Sequence, residues 1–232
     1  MTDSTKEPQY NRLIEIQSAQ GLTPLGLMTN QVWQDDPRRL TFVLSRYKFV
    51  SKMFSGLRDV LEVGCADAWG SRIVKQEVEN LTVTDFDPLF IQDVDNRMDP
   101  KWSMTTIIHD MMEGPVKESA FDGAYLVDVI EHIQSRDEET FIYNIVKSLR
   151  PNGVCLVGSP SIHSQAYASP PSRAGHVNCK DGAGMKALMG KFFHSVFIFS
   201  MNDEVVHTGF QPMAHYLWAL CSNKIESTDL PL

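Results

Sequence analysis

Between residues 59 and 160 the chain alternates short apolar runs with segments of helical periodicity. That alternation restricts it to a mostly parallel sheet covered by helices on both faces, because parallel neighbours need helical crossovers. DVLEVG (59–64), LTVTDF (81–86), SMTTIIH (103–109), FDGAYLVDVI (121–130) and VCLVGSP (154–160) read as the strands. GSRIVKQEVE (70–79) reads as a helix, and DPLFIQDVDN (87–96) as another with Asp87 as N-cap and Pro88 at the first helical position. The clearest helix is SRDEETFIYNIVKSLR (135–150), where Ser135 and Glu138 are spaced as a capping box, and Pro151-Asn152-Gly153 reads as the turn after it. Past residue 190 the pattern changes. FFHSVFIFSM (192–201) and MAHYLWALC (213–221) are two strands joined by a loop too short for a crossover, which predicts an antiparallel closing pair.

A chain of 232 residues with 43% hydrophobic and 22% charged residues suits one large domain. Residues 1–57 read as an N-terminal helical cap, with Leu40, Val43, Leu44, Tyr47 and Val50 at helical spacing after Pro37. Residues 58–232 read as the main domain, carrying an insert at about 161–182 rich in Ser, Pro, Gly and His. The net charge of −8 argues against non-specific nucleic-acid binding, which uses a basic stripe. No apolar run approaches about 20 residues, so no membrane span is expected. The polar start MTDSTKEPQYNR and four cysteines without a CxxC pair predict a cytoplasmic protein with reduced thiols.

In doubly wound sheets ligands bind beyond the carboxyl ends of the strands, so the residues just past each strand carry the chemistry. Gly64 to Ala68 follow the first strand, Asp85 closes the second, His109-Asp110 the third and Asp128 the fourth. Asp85 lies 21 residues after Gly64, where an acid accepts from ribose hydroxyls. A nucleoside-containing ligand is therefore expected. The dinucleotide template G-x-G-x-x-G laid on Gly64 finds Ala66 and Trp69 where its other glycines belong, which disfavours the alternative of an NAD-dependent oxidoreductase.

LEVGCADAWG, VTDFDP, IIHDMMEGP, FDGAYLVDVIEHI and LRPNGVCLVGSP, in this order, resemble the motifs of class I S-adenosylmethionine (SAM)-dependent methyltransferases. The resemblance covers residues 59–160 and departs at Ala66 and Ala68, where many members have glycine. It implies a Rossmann-like sheet with an antiparallel closing strand and SAM as cofactor. It places Glu62, Gly64, Cys65, Ala66 and Asp67 under the methionyl and ribose groups, Asp85 on the ribose hydroxyls and Phe86 against the adenine. Asp110 and the Met111 backbone amide would meet the adenine, Asp128 would flank the methyl donor or the acceptor, and Arg46 of the cap would pair with the methionine carboxylate. A non-catalytic SAM-binding protein is the remaining alternative.

The same resemblance puts the acceptor under the cap and the insert, with His132, His163 and Arg173 as acceptor contacts. Histidine titrates near neutral pH, so His176 is the expected general base, with His207 second. No two histidines of the last third have i, i+4 spacing, and no metal site is assigned. NDEVVHTGFQPMAHYLW and GLTPLGLMTNQVWQDDPRRL also resemble small methyltransferases of bacterial surface-polysaccharide clusters, which implies a sugar or other small polar hydroxyl as acceptor.

Overall fold

The computed structural model describes residues 4–225, so the outermost ends of both expected domains lie outside the described residues. Eight strands form one sheet in the order β3-β2-β1-β4-β5-β8-β6-β7. The parallel part comprises β1 (Asp59–Val63), β2 (Asn80–Asp85), β3 (Thr105–Ile108), β4 (Phe121–Val127) and β5 (Leu149–Pro160). Strands β6 (Phe193–Asn202), β7 (Val205–His207) and β8 (Tyr216–Lys224) extend it, with β8 antiparallel to both β5 and β6. The chain reverses direction across the sheet between β1 and β4, so their carboxyl ends form the switch-point crevice.

Each face of the sheet carries its own core. Leu61, Leu126 and Val157 pack under α6 (Glu138–Ser148) and α8 (Gly182–Met189), whereas Val60, Val83, Tyr125, Leu156 and Trp218 pack under α3 (Arg38–Met53) and its neighbours. Val60 and Leu61 are both wholly buried, as a strand covered on two sides requires. Preceding α3, α1 (Asn11–Gln20) and α2 (Leu27–Asp35) complete the cap; α4 (Ser71–Lys75), α5 (Pro88–Asn96) and α7 (Pro170–Gly175) are the remaining α-helices among the described residues. None of these helices is long and apolar enough to cross a membrane.

The α5 start follows the local chemistry, with the Asp87 carboxylate accepting from the Leu89 amide at 2.9 Å and Pro88 at the first position. Five local expectations fail. Helix α4 stops at Lys75, and the PNG segment lies within β5, where the pairing jumps from Phe121–Leu149 to Gly123–Val154 and loops out residues 150–153 as a bulge. The capping box does not form. Ser135 instead donates to Asn178 (2.9 Å) and Glu138 accepts from Asn178 (2.6 Å) and pairs with Lys180 (2.7 Å), so both residues tether the insert. The expected loop of the insert contains α7, and β7 adds a hairpin to the closing pair.

Candidate active site

The loop after β1 is held in a conformation that small residues suit. Gly64 has φ +71°, Ala66 +46° and Ala68 +48°, all left-handed. A Cβ at Gly64 would stand 2.5 Å from a Val129 methyl, so glycine is required there for space as well as for conformation. Asp85 fixes the loop from β2. Its Oδ2 accepts from the Ala66 amide at 2.9 Å and its Oδ1 from the Asp87 amide at 3.0 Å. Each oxygen keeps a further lone pair beyond these bonds. Cys65 turns its thiol into the core, where burial pushes it up and keeps it a thiol, so it offers no nucleophile.

Two residues expected beneath a ligand are consumed by the fold. Glu62 is 1% exposed, and its two oxygens accept from the hydroxyls of Tyr47 (2.8 Å) and Tyr125 (2.7 Å), which seats α3 on the sheet. Asp67 accepts from the amide (2.6 Å) and hydroxyl (3.1 Å) of Thr29, so it caps the first turn of α2 from outside the helix. Its backbone carbonyl accepts from Arg97 at 2.6 Å, and Arg97 also pairs with Asp93. Both carboxylates position the cap over the loop, and Asp67 also lines the cavity between them. The cap and loop enclose a cavity of about 120 Å3, lined by Thr29, Leu44 and Tyr47 above and Gly64, Ala66 and Asp128 below. A larger cavity of about 320 Å3 lies beside α4 and α5 and shares Leu44, Asp67 and Trp69 with the first; its arginines Arg72 and Arg97 are each paired with an acid.

Burial lifts the Glu62 carboxyl to about 7, with the Asp67 charge adding to the shift against the two tyrosine hydrogen bonds. A folded pKa above the unfolded one means that this group stabilises most below about pH 4.5 and that its contribution is lost as pH rises through about 7. The lost contribution amounts to about 3 kcal/mol. Urea unfolding at pH 5 and pH 8 is expected to show a steeper fall for the wild type than for Glu62→Gln, whose amide does not ionise. Equal falls would place the proton elsewhere.

At the end of β4 the chain turns through Asp128, itself at φ +59°. Asp128 pairs with Arg46, whose guanidinium lies 3.9 Å from the Tyr216 ring centroid and whose side chain is 14% exposed. The expected methionine-carboxylate partner is thus engaged with a protein acid. Asp128 Oδ1 is buried without a hydrogen-bond partner. Three residues on, Glu131 is wholly buried; Ser159 donates to one of its oxygens at 3.2 Å, and Oε1 has no partner. Burial, then the Asp128 charge, raises its carboxyl to about 8. His132 and His176 stand beside it, their rings edge to face with centroids 5.1 Å apart. Burial and the neighbouring His132 lower the His176 pKa, which favours a neutral imidazole at neutral pH. The sequence reading missed Glu131. Its signal was an acid placed between the expected Asp128 and His132, one residue past the segment read as a strand (121–130).

The other expected residues divide. Phe86 is 73% exposed beside Asp85, and Asp110 is exposed with its carboxylate accepting from the Met112 amide at 2.8 Å. Met111 is a core side chain, and its carbonyl accepts from Asn144 at 2.7 Å. His163 is exposed in the insert, and Arg173 folds back to donate to the Ala168 carbonyl at 2.9 Å. His207 cannot act as expected. Both ring nitrogens are engaged in its own hairpin, one with Asn202 Oδ1 (2.9 Å) and the other accepting from the Gly209 amide (3.0 Å).

A family profile described as a methyltransferase domain matches residues 60–153. A probable SAM-dependent methyltransferase of Mycolicibacterium smegmatis is 30% identical over 105 residues, covering 45% of this chain and 38% of the relative. A ubiquinone biosynthesis O-methyltransferase of Rickettsia bellii is 24% identical over 139 residues, covering 57% and 54%. The chain therefore spans about half or less of the length of these curated relatives. Among solved structures, the N-methyltransferase NodS of Bradyrhizobium japonicum in complex with S-adenosyl-L-homocysteine (SAH) aligns with TM-score 0.61 at 20% identity, over 82% of this chain and 90% of NodS. The CurJ carbon methyltransferase aligns with TM-score 0.62 at 12% identity, over 93% and 64%. Residues 60–153 match the methyltransferase-domain profile, and the chain shares the Rossmann-like fold of these SAM-dependent methyltransferases. SAM is the methyl donor of that class, and an N-directed and a C-directed enzyme share its fold.

Proposed function

We propose that this chain binds SAM at the ends of β1 and β2 and transfers its methyl group to a hydroxyl of a small polar molecule or glycan. Asp85 would hold the ribose hydroxyls. The methionyl end would lie in the cavity between cap and loop, and the adenine would rest on exposed Phe86 near Asp110 and the Met111 amide. The methyl group would then face the end of β4, where Asp128, Glu131, His132 and His176 gather.

The observation that carries the reading is this gathering of two imidazoles and a buried carboxyl at the switch point. An amine acceptor needs only to be neutral to attack a sulfonium methyl. A hydroxyl is a poor nucleophile until its proton is withdrawn, and His176 is the group placed to activate it. The oxygen attacks the methyl carbon in line with sulfur, the C–S bond breaks with its electron pair on sulfur, and SAH leaves; positioning supplies most of the acceleration. The exposed polar insert, with His163 and Arg173, suits a hydroxyl-rich acceptor.

Transfer from methyl-labelled SAM to matched panels of polyols, sugars and phenols against amines tests the acceptor class. Label in an ether product supports the reading, and label confined to amine products overturns it. For the cofactor, Asp85→Ala is expected to weaken SAH binding by about 10- to 150-fold in calorimetry, the loss of a charged hydrogen-bond partner worth roughly 1.5–3 kcal/mol. Unchanged affinity would remove Asp85 from the ribose site.

A further inference from the structure

We propose that Glu131, His132 and His176 bind a first-row divalent transition-metal cation that presents the acceptor oxygen to the methyl donor. Each residue offers one donor atom, and the three atoms lie within 4.8 Å of one another. They come from two separate segments that the backbone locks together. The Glu131 carbonyl accepts from the Val177 amide at 2.9 Å and the Asn178 amide at 3.0 Å, which fixes the insert against the short helix carrying Glu131 and His132.

Two features mark this cluster as built for a cation. Glu131 Oε1 is buried and has no hydrogen-bond partner, while the cation at hand, Arg46, is taken by Asp128. Both imidazoles are also oriented through one nitrogen. His132 Nδ1 lies 2.9 Å from the Gly175 carbonyl, and His176 Nδ1 lies 2.9 Å from Gln165 Oε1. The Gln165 amide nitrogen faces the Ser161 carbonyl at 3.3 Å, so Oε1 is the atom turned to the ring. Both acceptors force the proton onto Nδ1 and leave each Nε2 with a free lone pair, the arrangement in which outer groups hold histidine ligands.

Two neutral imidazoles and one carboxylate favour Mn2+, Co2+ or Zn2+ over Mg2+, which prefers oxygen donors. Three protein ligands leave positions open for water or the acceptor. The catalytic part of the proposal rests on the methyltransferase reading, and the binding site stands without it. The cation would lower the pKa of a bound acceptor hydroxyl. The proton would leave to water, the oxygen would form its bond to the methyl carbon, and sulfur would keep the C–S electron pair, with no change of oxidation state at the metal. His176 would then activate the acceptor as a ligand.

The test is calorimetry of chelator-stripped protein with Mn2+ and with Zn2+, alongside SAH as a readout of the folded cofactor site. One ion per chain is expected. His132→Ala and His176→Ala are each expected to weaken binding by about 100-fold or more, and Gln165→Leu by about 10- to 100-fold, with SAH affinity retained. Wild-type protein that binds SAH but binds Mn2+ and Zn2+ no better than the His132→Ala/His176→Ala double variant overturns the cation site and leaves the methyltransferase reading intact. Metal binding by a chain that fails to bind SAH keeps the cation site and overturns the methyltransferase reading.

Discussion

Gly64→Val is expected to abolish measurable SAM binding while leaving a folded protein. Valine at φ +71° is a β-branched residue in a region that L side chains avoid, a strain of about 1–3 kcal/mol. Its Cβ would also stand 2.5 Å from a Val129 methyl, a contact that real structures do not sustain. Relief must come from moving the loop or the end of β4. Either movement displaces Ala66 from Asp85 or Asp128 from Arg46, and both pairs define the ligand side of the crevice. Circular dichroism would show the fold intact, and calorimetry with SAH would show the loss. The contact and the backbone strain are separable. Gly64→Ala/Val129→Ala removes the colliding methyls and should bind better than Gly64→Ala alone. Normal SAH binding by Gly64→Val would show that the loop does not underlie the cofactor.

His176→Ala is expected to slow methyl transfer by about 10²–10⁴-fold, whether its Nε2 takes the proton of the reacting oxygen itself or holds the cation that acidifies it. SAH affinity should stay unchanged, because His176 hydrogen-bonds to Gln165 within the insert, apart from the loop and Asp85. Single-turnover measurement with prebound labelled SAM isolates the chemical step from binding and product release. A variant as fast as the wild type would place acceptor activation elsewhere or leave proximity as the whole mechanism. His207 would not inherit the role, because its ring nitrogens are already engaged by Asn202 and the Gly209 amide.

The sheet was legible because its cause is local. Short apolar runs ended by small or acidic residues give β1, β2, β4 and β5, and the Asp87-Pro88 pair sets the start of α5 from chemistry within three residues. Helix α8 was missed because KDGAGMKALMG carries three glycines and no clear periodicity; it forms because Asp181 caps it, accepting from the Gly184 amide at 2.7 Å, and because Met185, Leu188 and Met189 fill one core. The strand-end acids were found by position, yet position does not reveal what occupies a carboxylate. Glu62 and Asp67 bond to Tyr47 and Thr29, 15 and 38 residues away, and no local pattern encodes such pairings. The same limit hid the cluster at β4. Helical spacing is a test for ligands on one element, whereas Glu131 and His132 meet His176 only because the insert folds back. Ser135 and Glu138 illustrate the converse, a sequence pattern for a helix cap whose side chains serve a tertiary contact.

Titration calorimetry of the purified chain with SAH and, separately, with NADH tests the central claim most directly. A single SAH site per chain, weakened by Asp85→Ala and lost in Gly64→Val, with no heat of binding from NADH, is the predicted result. Saturable NADH binding at this crevice without SAH binding would contradict the account.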